Sequence, residues 1–339
     1  MIINGAKKNW RRGGAVLAIA FVFAFLAFLH HIQSPAGVGA GTVTLEIPRG
    51  TTFRHVADRL DRNGLLKSRF LFYLLVYAKG ASGQLQAGEY EISRSLSPLK
   101  ILNKIVRGDV KQYPMTIAED LTVREIASLL SASKLIDEGL FMSLAADQNF
   151  LSSLGIEAST AEGYLFPETY YLNRSMSTED IFRSMVREWK KRFSQELQRQ
   201  AASTGMSAQE LMTLASLIGK ESGFVEEKPL ISAVFHNRLK KGMKLQSDPT
   251  AVYTFEKTEK KVTLRDLGKD TAHNTYRIKG LPPGPSANPG ADSIHAALHP
   301  APVDYLYFVS KNDGSHHFSS TLASHQKAVI KYQINKKKI

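Results

Sequence analysis

Residues 207–222 read S-A-Q-E-L-M-T-L-A-S-L-I-G-K-E-S, with Gly223 and Phe224 directly behind them. Ser207 followed three residues later by Glu210 is a capping box: the serine oxygen accepts from the N3 amide while the glutamate reaches back to the cap amide. A helix therefore starts at this serine. Leu211, Leu214, Ala215 and Ile218 recur at i, i+3, i+4 and i+7, the spacing of an apolar face turned to a core. Glu221 lies three residues after Ile218, on the same stripe. Gly223 is placed to end the helix as its C′ residue.

A carboxylate that continues an apolar face sits badly as an anion. Burial disfavours the charge, and so does the negative end of the helix dipole, so the pKa of Glu221 is expected to rise. A carboxyl kept protonated near neutral pH can serve as a general acid. The alternative is a helix-end glutamate that reaches solvent or pairs with Lys220 or Arg238.

With 339 residues the chain is long enough for two domains, each with its own core. Hydrophobic residues make up 43% and charged residues 22%, a globular balance that excludes wholesale disorder. There is no cysteine, which removes disulfides and thiolate metal sites. A formal charge of +13 favours an anionic partner: nucleic acid, anionic lipid or an acidic polymer. The first forty residues choose among these. Lys7, Lys8, Arg11 and Arg12 precede an uninterrupted apolar run over 15–29, followed by His30, His31 and a Pro/Gly-containing stretch over 34–41. Basic charge before an apolar run keeps the N-terminus inside and sends the rest across the membrane. A cleaved signal peptide competes, with Val38-Gly39-Ala40 resembling a cleavage site. The preferred reading is an uncleaved anchor over 15–32, a cytoplasmic segment 1–14 and a linker over 33–42. Nucleic acid is then excluded as a partner, and the membrane and an extracytoplasmic polymer remain.

Behind the linker, Val43, Leu45 and Ile47 alternate as a strand. Thr51 or Thr52 caps a helix with Val56, Ala57 and Leu60. A second helix runs over 68–77, Gly88 to Ile92 is the returning strand, and Ser97-Pro98 opens a helix that ends at Gly108. This βααβ module, 43–110, shows no pocket chemistry. Residues 110–117 read as a strand and Thr122 opens a helix, so the second domain is placed at 111–339. The run E-G-Y-L-F-P-E-T-Y-Y from Glu162 is a loop, either the lining of a carbohydrate groove or an ordinary buried turn. One long amphipathic helix is expected over 178–202, with Ile181, Met185, Trp189 and Phe193 inward, and another over Lys228–Lys240. Asp248-Pro249 calls for extended or turn geometry where Gln246, Ser247, Asp248 and Thr250 present polar side chains. Asn274-Thr275-Tyr276 and the loop G-L-P-P-G-P from Gly280 follow, the latter a groove wall or a tight turn. A strand over 305–309 with its partner near His317-Phe318, and a helix over 324–334, close the chain.

The ten histidines show no H-E-x-x-H or other ligand spacing, and neither a phosphate-cradling glycine loop nor a G-x-S-x-G elbow is present. No metal or cofactor is expected. Ordinary glycoside hydrolysis uses two carboxylates, and Asp248 is the candidate for a second.

The segment S-L-I-G-K-E-S-G-F from Ser216 resembles the helix of lytic transglycosylases that ends in a Glu-Ser pair. Several further segments, in order, are similar to the YceG-like endolytic murein transglycosylases: E-G-Y-L-F-P-E-T from Glu162, V-F-H-N-R-L from Val234, G-M-K-L-Q-S-D-P-T from Gly242, N-T-Y from Asn274, G-L-P-P-G-P from Gly280, His299-Pro300 and Y-L-Y-F-V from Tyr305. The resemblance implies an α+β protein with a membrane anchor, a LysM-like module and a catalytic domain built on a lysozyme-like helix. It implies cleavage of the β-1,4 bond between N-acetylmuramic acid and N-acetylglucosamine without water: Glu221 acts as acid and then as base, and the strand ends as 1,6-anhydromuramic acid. Ser222, Gln246, Ser247, Asp248, Asn274, Tyr276 and Glu168 become candidates for binding sugar or orienting Glu221, and coupling to peptidoglycan synthases is implied. Two positions depart from the family's pattern. Gly219 stands where an acidic residue is usual, and Glu119-Asp120 where Glu-Gly is more common. Two other readings stay open: a lysozyme-like muramidase using Asp248, and a non-catalytic, membrane-anchored wall-binding protein.

Overall fold

The protein is described by a computed structural model covering residues 3–37, 41–253 and 262–335. The cleavage-like triplet Val38-Gly39-Ala40 and the terminal lysines lie outside the described residues. The architecture is mixed α and β, with one N-terminal apolar helix. The chain separates into two compact units, Met1–Tyr113 with Asn173–Ser175, and Pro114–Leu172 with Met176–Ile339.

In the first unit, helix α1 (Ile3–Gln33) is followed by β1 (Thr42–Ile47), α2 (Phe53–Arg62), α3 (Arg69–Ala78), β2 (Gly88–Ser93) and α4 (Pro98–Arg107). β1 and β2 pair antiparallel in the register Leu45↔Tyr90, and the helices close over one face. The inward residues are those the alternation and helical spacing mark: Leu45, Ile47, Val56, Leu60, Tyr90, Ile92, Ile101 and Ile105. Ser68 and Ser97 cap α3 and α4 through their hydroxyls, Pro98 occupies the first turn, and Gly108 ends α4 in the left-handed region. Thr52 holds the N-cap position of α2, but its hydroxyl bonds the His55 ring instead of a helix amide.

Two features of this unit differ from expectation. The end of the expected anchor is not apart from the module, because Ile32, in the last turn of α1, is part of the module's core, with Phe28 and Leu29 packed against it. The module also carries a polar hollow of about 490 Å³ lined by Thr44, Glu46, Arg49, Glu89, Arg174 and Ser175. Two of these residues return from the segment Asn173–Ser175. Glu89 is 7% exposed and takes the Tyr113 hydroxyl at 2.7 Å and Arg174 at 3.4 Å. Sequence order hides such a hollow, since Arg174 comes to Glu89 from a distant part of the chain.

The second unit begins with a ladder of β3 (Tyr113–Thr116) and β4 (Thr169–Leu172). Between these strands lie α5 (Val123–Ala132), α6 (Glu138–Leu144) and α7 (Gln148–Ser153). Then come α8 (Thr178–Arg192), α9 (Gln195–Ser203), α10 (Ala208–Glu221), α11 (Lys228–Lys240), α12 (Asp248–Val252), α13 (Leu264–Leu267), α14 (Ala291–Leu298), the antiparallel pair β5 (Tyr307–Ser310) and β6 (His316–Ser319), and α15 (Leu322–Val329). The single helix expected over 178–202 is two. Phe193, 1% exposed, leaves helical geometry at φ −85°, ψ 68°, and Ser194 caps α9 by accepting from the Leu197 amide.

α10 is the centre of this unit. Its capping box forms as the sequence requires, with Ser207 and Glu210 bonded reciprocally. The stripe is wider than the periodicity suggests, because every residue from Leu211 to Gly219 is buried. A helix surrounded on all sides must satisfy its own polar groups. Thr213 Oγ1 donates to the Gln209 carbonyl at 2.7 Å and Ser216 Oγ to the Thr213 carbonyl at 2.7 Å, while Ser216 Oγ also accepts from the Ser286 amide at 3.0 Å. The proline-rich loop holds the other end: Gln209 Nε2 donates to the Pro283 carbonyl, so this loop is a clamp on the start of α10.

Candidate functional site

Glu221 is the last residue of α10. The helix stops because Ser222 turns extended, at φ −144° and ψ 132°. Gly223 is not in the left-handed conformation, so the expected glycine cap does not form. The Ser222 hydroxyl accepts from the Phe224 amide at 3.1 Å and approaches Glu227 Oε2 at 3.5 Å. Ser222 therefore braces the turn behind the helix and does not hold Glu221.

That task falls to Ser247, whose hydroxyl donates to Glu221 Oε1 at 2.5 Å. Ser247 is fully buried, fixed by a knot of backbone and hydroxyl bonds. Its amide donates to Thr275 Oγ1 at 2.9 Å, Thr250 Oγ1 donates to its carbonyl at 2.6 Å, and the two threonine hydroxyls lie 2.8 Å apart. Just before it, Gln246 takes φ 51°, a left-handed conformation unusual for a side-chain-bearing residue. Asp248 does not remain extended; it starts the short helix α12, with Pro249 in the first turn where its missing amide costs nothing. Its carboxylate accepts the Tyr276 hydroxyl at 2.5 Å.

Burial pushes the Glu221 carboxyl up to about 7, and the charge of Asp248 pushes the same way. The Ser247 hydrogen bond and the positive charge of Arg238 oppose them. Arg238 acts from a distance, since its guanidinium is spent on the carbonyls of Leu306 at 2.7 Å and Leu245 at 2.7 Å and on Gln246 Oε1 at 3.4 Å. Among the described residues, neither Arg238 nor Lys220 forms an ion pair with Glu221. Glu221 is a half-buried residue whose carboxyl burial pushes toward neutral pH, which is the condition for donating a proton and taking one back.

The other marked residues separate into two sets. Ser247 bonds Glu221, Asp248 and Tyr276 lie close enough to interact with it electrostatically, and Gln246 turns its Oε1 to Arg238. Asn274 is fully buried and spends its amide on the carbonyls of Asp266, Leu267 and Lys269, so it staples the loop that carries Thr275 and Tyr276. Glu168, just before β4, pairs with Arg192 at the end of α8 at 2.9 Å, and nothing among the described contacts joins it to the group around Glu221. Thr250 and Thr275, which carry the knot, are in the sequence only polar members of loop motifs; a burial of hydroxyls cannot be read from such loops.

Two further carboxyls are buried beside α10. Glu162, 1% exposed, accepts from the Val123 amide at 3.0 Å, the Asn288 side chain at 2.9 Å and the Tyr253 hydroxyl at 3.1 Å. Burial pushes it up to about 8. Asn288 completes the link by accepting from the Gly163 and Leu165 amides. The E-G-Y-L-F-P run is thus a buried, fully bonded turn at its glutamate. The other carboxyl is Asp120, raised by burial to about 7, with Oδ1 buried and without a hydrogen-bond partner. It sits directly on Gly219: a Cβ built there would overlap the Asp120 carboxylate. The two departures from the family pattern are therefore the two halves of one contact. The helix lacks an acidic side chain at 219, and a neighbouring loop places one in the same space.

The profile of the YceG-like family matches residues 45–331. A Bacillus subtilis strain 168 protein named endolytic murein transglycosylase is 34% identical over 307 residues, which cover 86% of this chain and 85% of that protein. A Streptococcus pneumoniae D39 protein of the same name is 28% identical over 360 residues, covering 92% of this chain and 65% of its own length. The crystal structure of a yceG-like protein from Listeria monocytogenes superposes with a TM-score of 0.59 at 30% identity, over 86% of this chain and all of that one. The match to the family's profile runs through both compact units and includes the helix that presents Glu221, and on these grounds the chain belongs to the YceG-like family.

Proposed function

We propose that the protein is an endolytic lytic transglycosylase, a carbon-oxygen lyase that cuts peptidoglycan glycan strands internally. The observation that carries this reading is Glu221 itself: half-buried, its carboxyl held by Ser247 and pushed up to about 7. Protonated Glu221 gives its proton to the glycosidic oxygen between N-acetylmuramic acid and N-acetylglucosamine. The C1–O bond breaks, the glucosamine leaves with a C4 hydroxyl, and an oxocarbenium-like centre remains. The C6 hydroxyl of the same muramic residue attacks C1, and its proton passes to the Glu221 carboxylate. The acid is regenerated, a 1,6-anhydro ring closes, and no water is consumed. Ser247 and the loop carrying Gln246, Asp248 and Tyr276 orient the carboxyl and face the sugar.

In the same reading Ala15–Gln33, 19 residues of mean hydropathy 2.4, is a single-pass anchor with its N-terminus in the cytoplasm. Residues 43–110 form a LysM-like module, 111–339 the catalytic domain with a lysozyme-like helix, and the partners are nascent glycan strands and the synthases that make them. Asp248 lies near enough to raise Glu221, which keeps a muramidase as the second reading. Asp120 in the space at Gly219 weakens the view of that glycine as a mark of a decayed enzyme.

Mass spectrometry of purified glycan strands treated with the full-length protein tests the assignment. Internal anhydro ends are expected, and reducing ends would establish hydrolysis instead. Glu221→Gln should lower cleavage by about 10²–10⁴-fold, the usual weight of general acid–base catalysis, while binding to sacculi persists. Undiminished cleavage by that variant would remove Glu221 from the mechanism.

A further inference from the structure

Helix α3 of the first unit is apolar on both sides. Its inner side, Phe72, Leu75 and Val76, belongs to the core. On its outer side Phe70 is 67% exposed, Leu74 43% and Tyr77 57%. These positions are i, i+4 and i+7, one continuous stripe on a helix surface. Single exposed apolar residues are ordinary, but three large ones in line mark a surface that meets something apolar.

The neighbouring helix says what that is. α3 packs against α1, whose last turns enter the core of the same unit through Ile32, Phe28 and Leu29. The apolar window of α1, Ala15–Gln33, is 19 residues long. At about 1.5 Å per residue that is roughly 28 Å, no longer than the hydrocarbon layer of about 30 Å. A helix of that length has no turn to spare as a stalk, and its final turn is already inside the module. Crossing the bilayer therefore draws the module, and α3 with it, onto the lipid surface. The borders of the stripe fit that place: Lys67 and Lys79 are exposed at the two ends of α3, as cations are around helices lying in an interface. Arg69 is already paired with Asp58 at 2.6 Å and is not needed for this contact.

We propose that α3 lies in the head-group region of the membrane crossed by α1, with Phe70, Leu74 and Tyr77 toward the acyl chains and Lys67 and Lys79 against anionic head groups. This rests on the reading of α1 as a retained anchor. The consequence is that the module is fixed at the bilayer at two places, the anchor and the stripe, and does not swing on a tether.

The absence of cysteine makes the test direct. Single variants Phe70→Cys, Leu74→Cys, Phe23→Cys in the anchor and Asn103→Cys on the exposed side of α4 are labelled with an environment-sensitive fluorophore. The full chain is reconstituted in vesicles of phosphatidylcholine and phosphatidylglycerol. Labels at 70 and 74 should be quenched by lipids carrying a nitroxide at shallow depth and shielded from aqueous iodide. The label at 23 should be quenched by deep nitroxides, and that at 103 by iodide alone. If 23 responds as stated while 70 and 74 behave like 103, the proposal is overturned and the anchor stands. Labels at 70 and 74 shielded from both quenchers would mean a protein surface and would overturn it equally. A label at 23 that deep nitroxides do not reach would remove the anchor reading, and the proposal with it.

Discussion

The protonation of Glu221 is a balance of burial and three groups, Ser247, Asp248 and Arg238, and two of these can be removed without touching the carboxyl. Ser247 hydrogen-bonds the carboxylate and favours the charged form; the charge on Asp248 favours the protonated one. On the proposed mechanism the acid form must be present for the first step, so kcat/KM falls as pH rises through the pKa of Glu221. Ser247→Ala should move that alkaline limb upward and Asp248→Asn should move it downward, each by about half a unit to one unit. Both are read in one strand-cleavage assay across pH, and limbs that shift in the same direction would contradict this balance. Glu221 itself was legible in the sequence, since its spacing from Ile218 places it on the buried stripe. Ser247 is marked only through the family resemblance, as one of several candidates to orient Glu221, and local pattern does not single it out, because the bond depends on docking a loop 26 residues away, with Gln246 in a left-handed turn that no residue preference announces. Ser222 was the natural choice by proximity, and the extended cap conformation points its hydroxyl elsewhere.

At the scale of the helix, α10 is specified by its own capping box and by its burial on every side, and its one gap is filled from outside. Asp120 occupies the space above Gly219 and takes φ 63° to do so, a conformation that favours glycine. The two positions are thus sterically coupled. Gly219→Ala adds a methyl that overlaps the Asp120 carboxylate, an overpacking cost of about 1–3 kcal/mol set against the roughly 1 kcal/mol that alanine gains in a helix. The single substitution should lower the unfolding free energy. In an Asp120→Gly background the obstacle is gone and the same substitution should raise it by about 1 kcal/mol. The measurement is a double-mutant cycle by denaturant unfolding, and additive effects would show that the contact is not formed. From sequence alone the glycine and the aspartate look like two unrelated departures, because nothing in either local pattern says that a loop at 120 reaches a helix at 219. The same limit explains the helix expected over 178–202. Its apolar periodicity continues through Phe193, but Ser194 caps a new helix, and the serine followed by Gln195 and Glu196 was the available signal. The short elements of the first unit were legible in order and type, since each is bounded by its own Ser, Pro or Gly.

For the molecule as a whole, the mixed α and β class and the apolar N-terminal helix followed from pattern and hydropathy. The assembly of three raised carboxyls in the second unit did not, because Asp120, Glu162 and Glu221 come from separate segments joined only by the fold. They give the protein an unusual dependence on pH. Burial raises Glu162 to about 8 and Asp120 and Glu221 each to about 7. A carboxyl whose folded pKa is raised holds its proton when folded and releases it when unfolded, so between its two pKa values the unfolded state binds fewer protons and stability falls as pH rises. Histidines act in the opposite direction. His273, His299 and His325 are lowered mainly by burial, and they remove stability only as pH falls below their ordinary value of 6.5. From about pH 7 to 8 these histidines are mostly neutral in both states, and among the groups with raised or lowered values the carboxyls govern the slope. The thermal midpoint of the full chain should therefore fall across this interval. Glu162, which stays protonated longest, supplies up to about 1.4 kcal/mol per pH unit of that decline. Glu162→Gln keeps an oxygen to accept from Val123 and Asn288 and an amide to meet Tyr253, but has no proton to lose. Its midpoint should decline less steeply over the same interval, and a wild-type midpoint that rises with pH there would show that these carboxyls are charged in the folded protein.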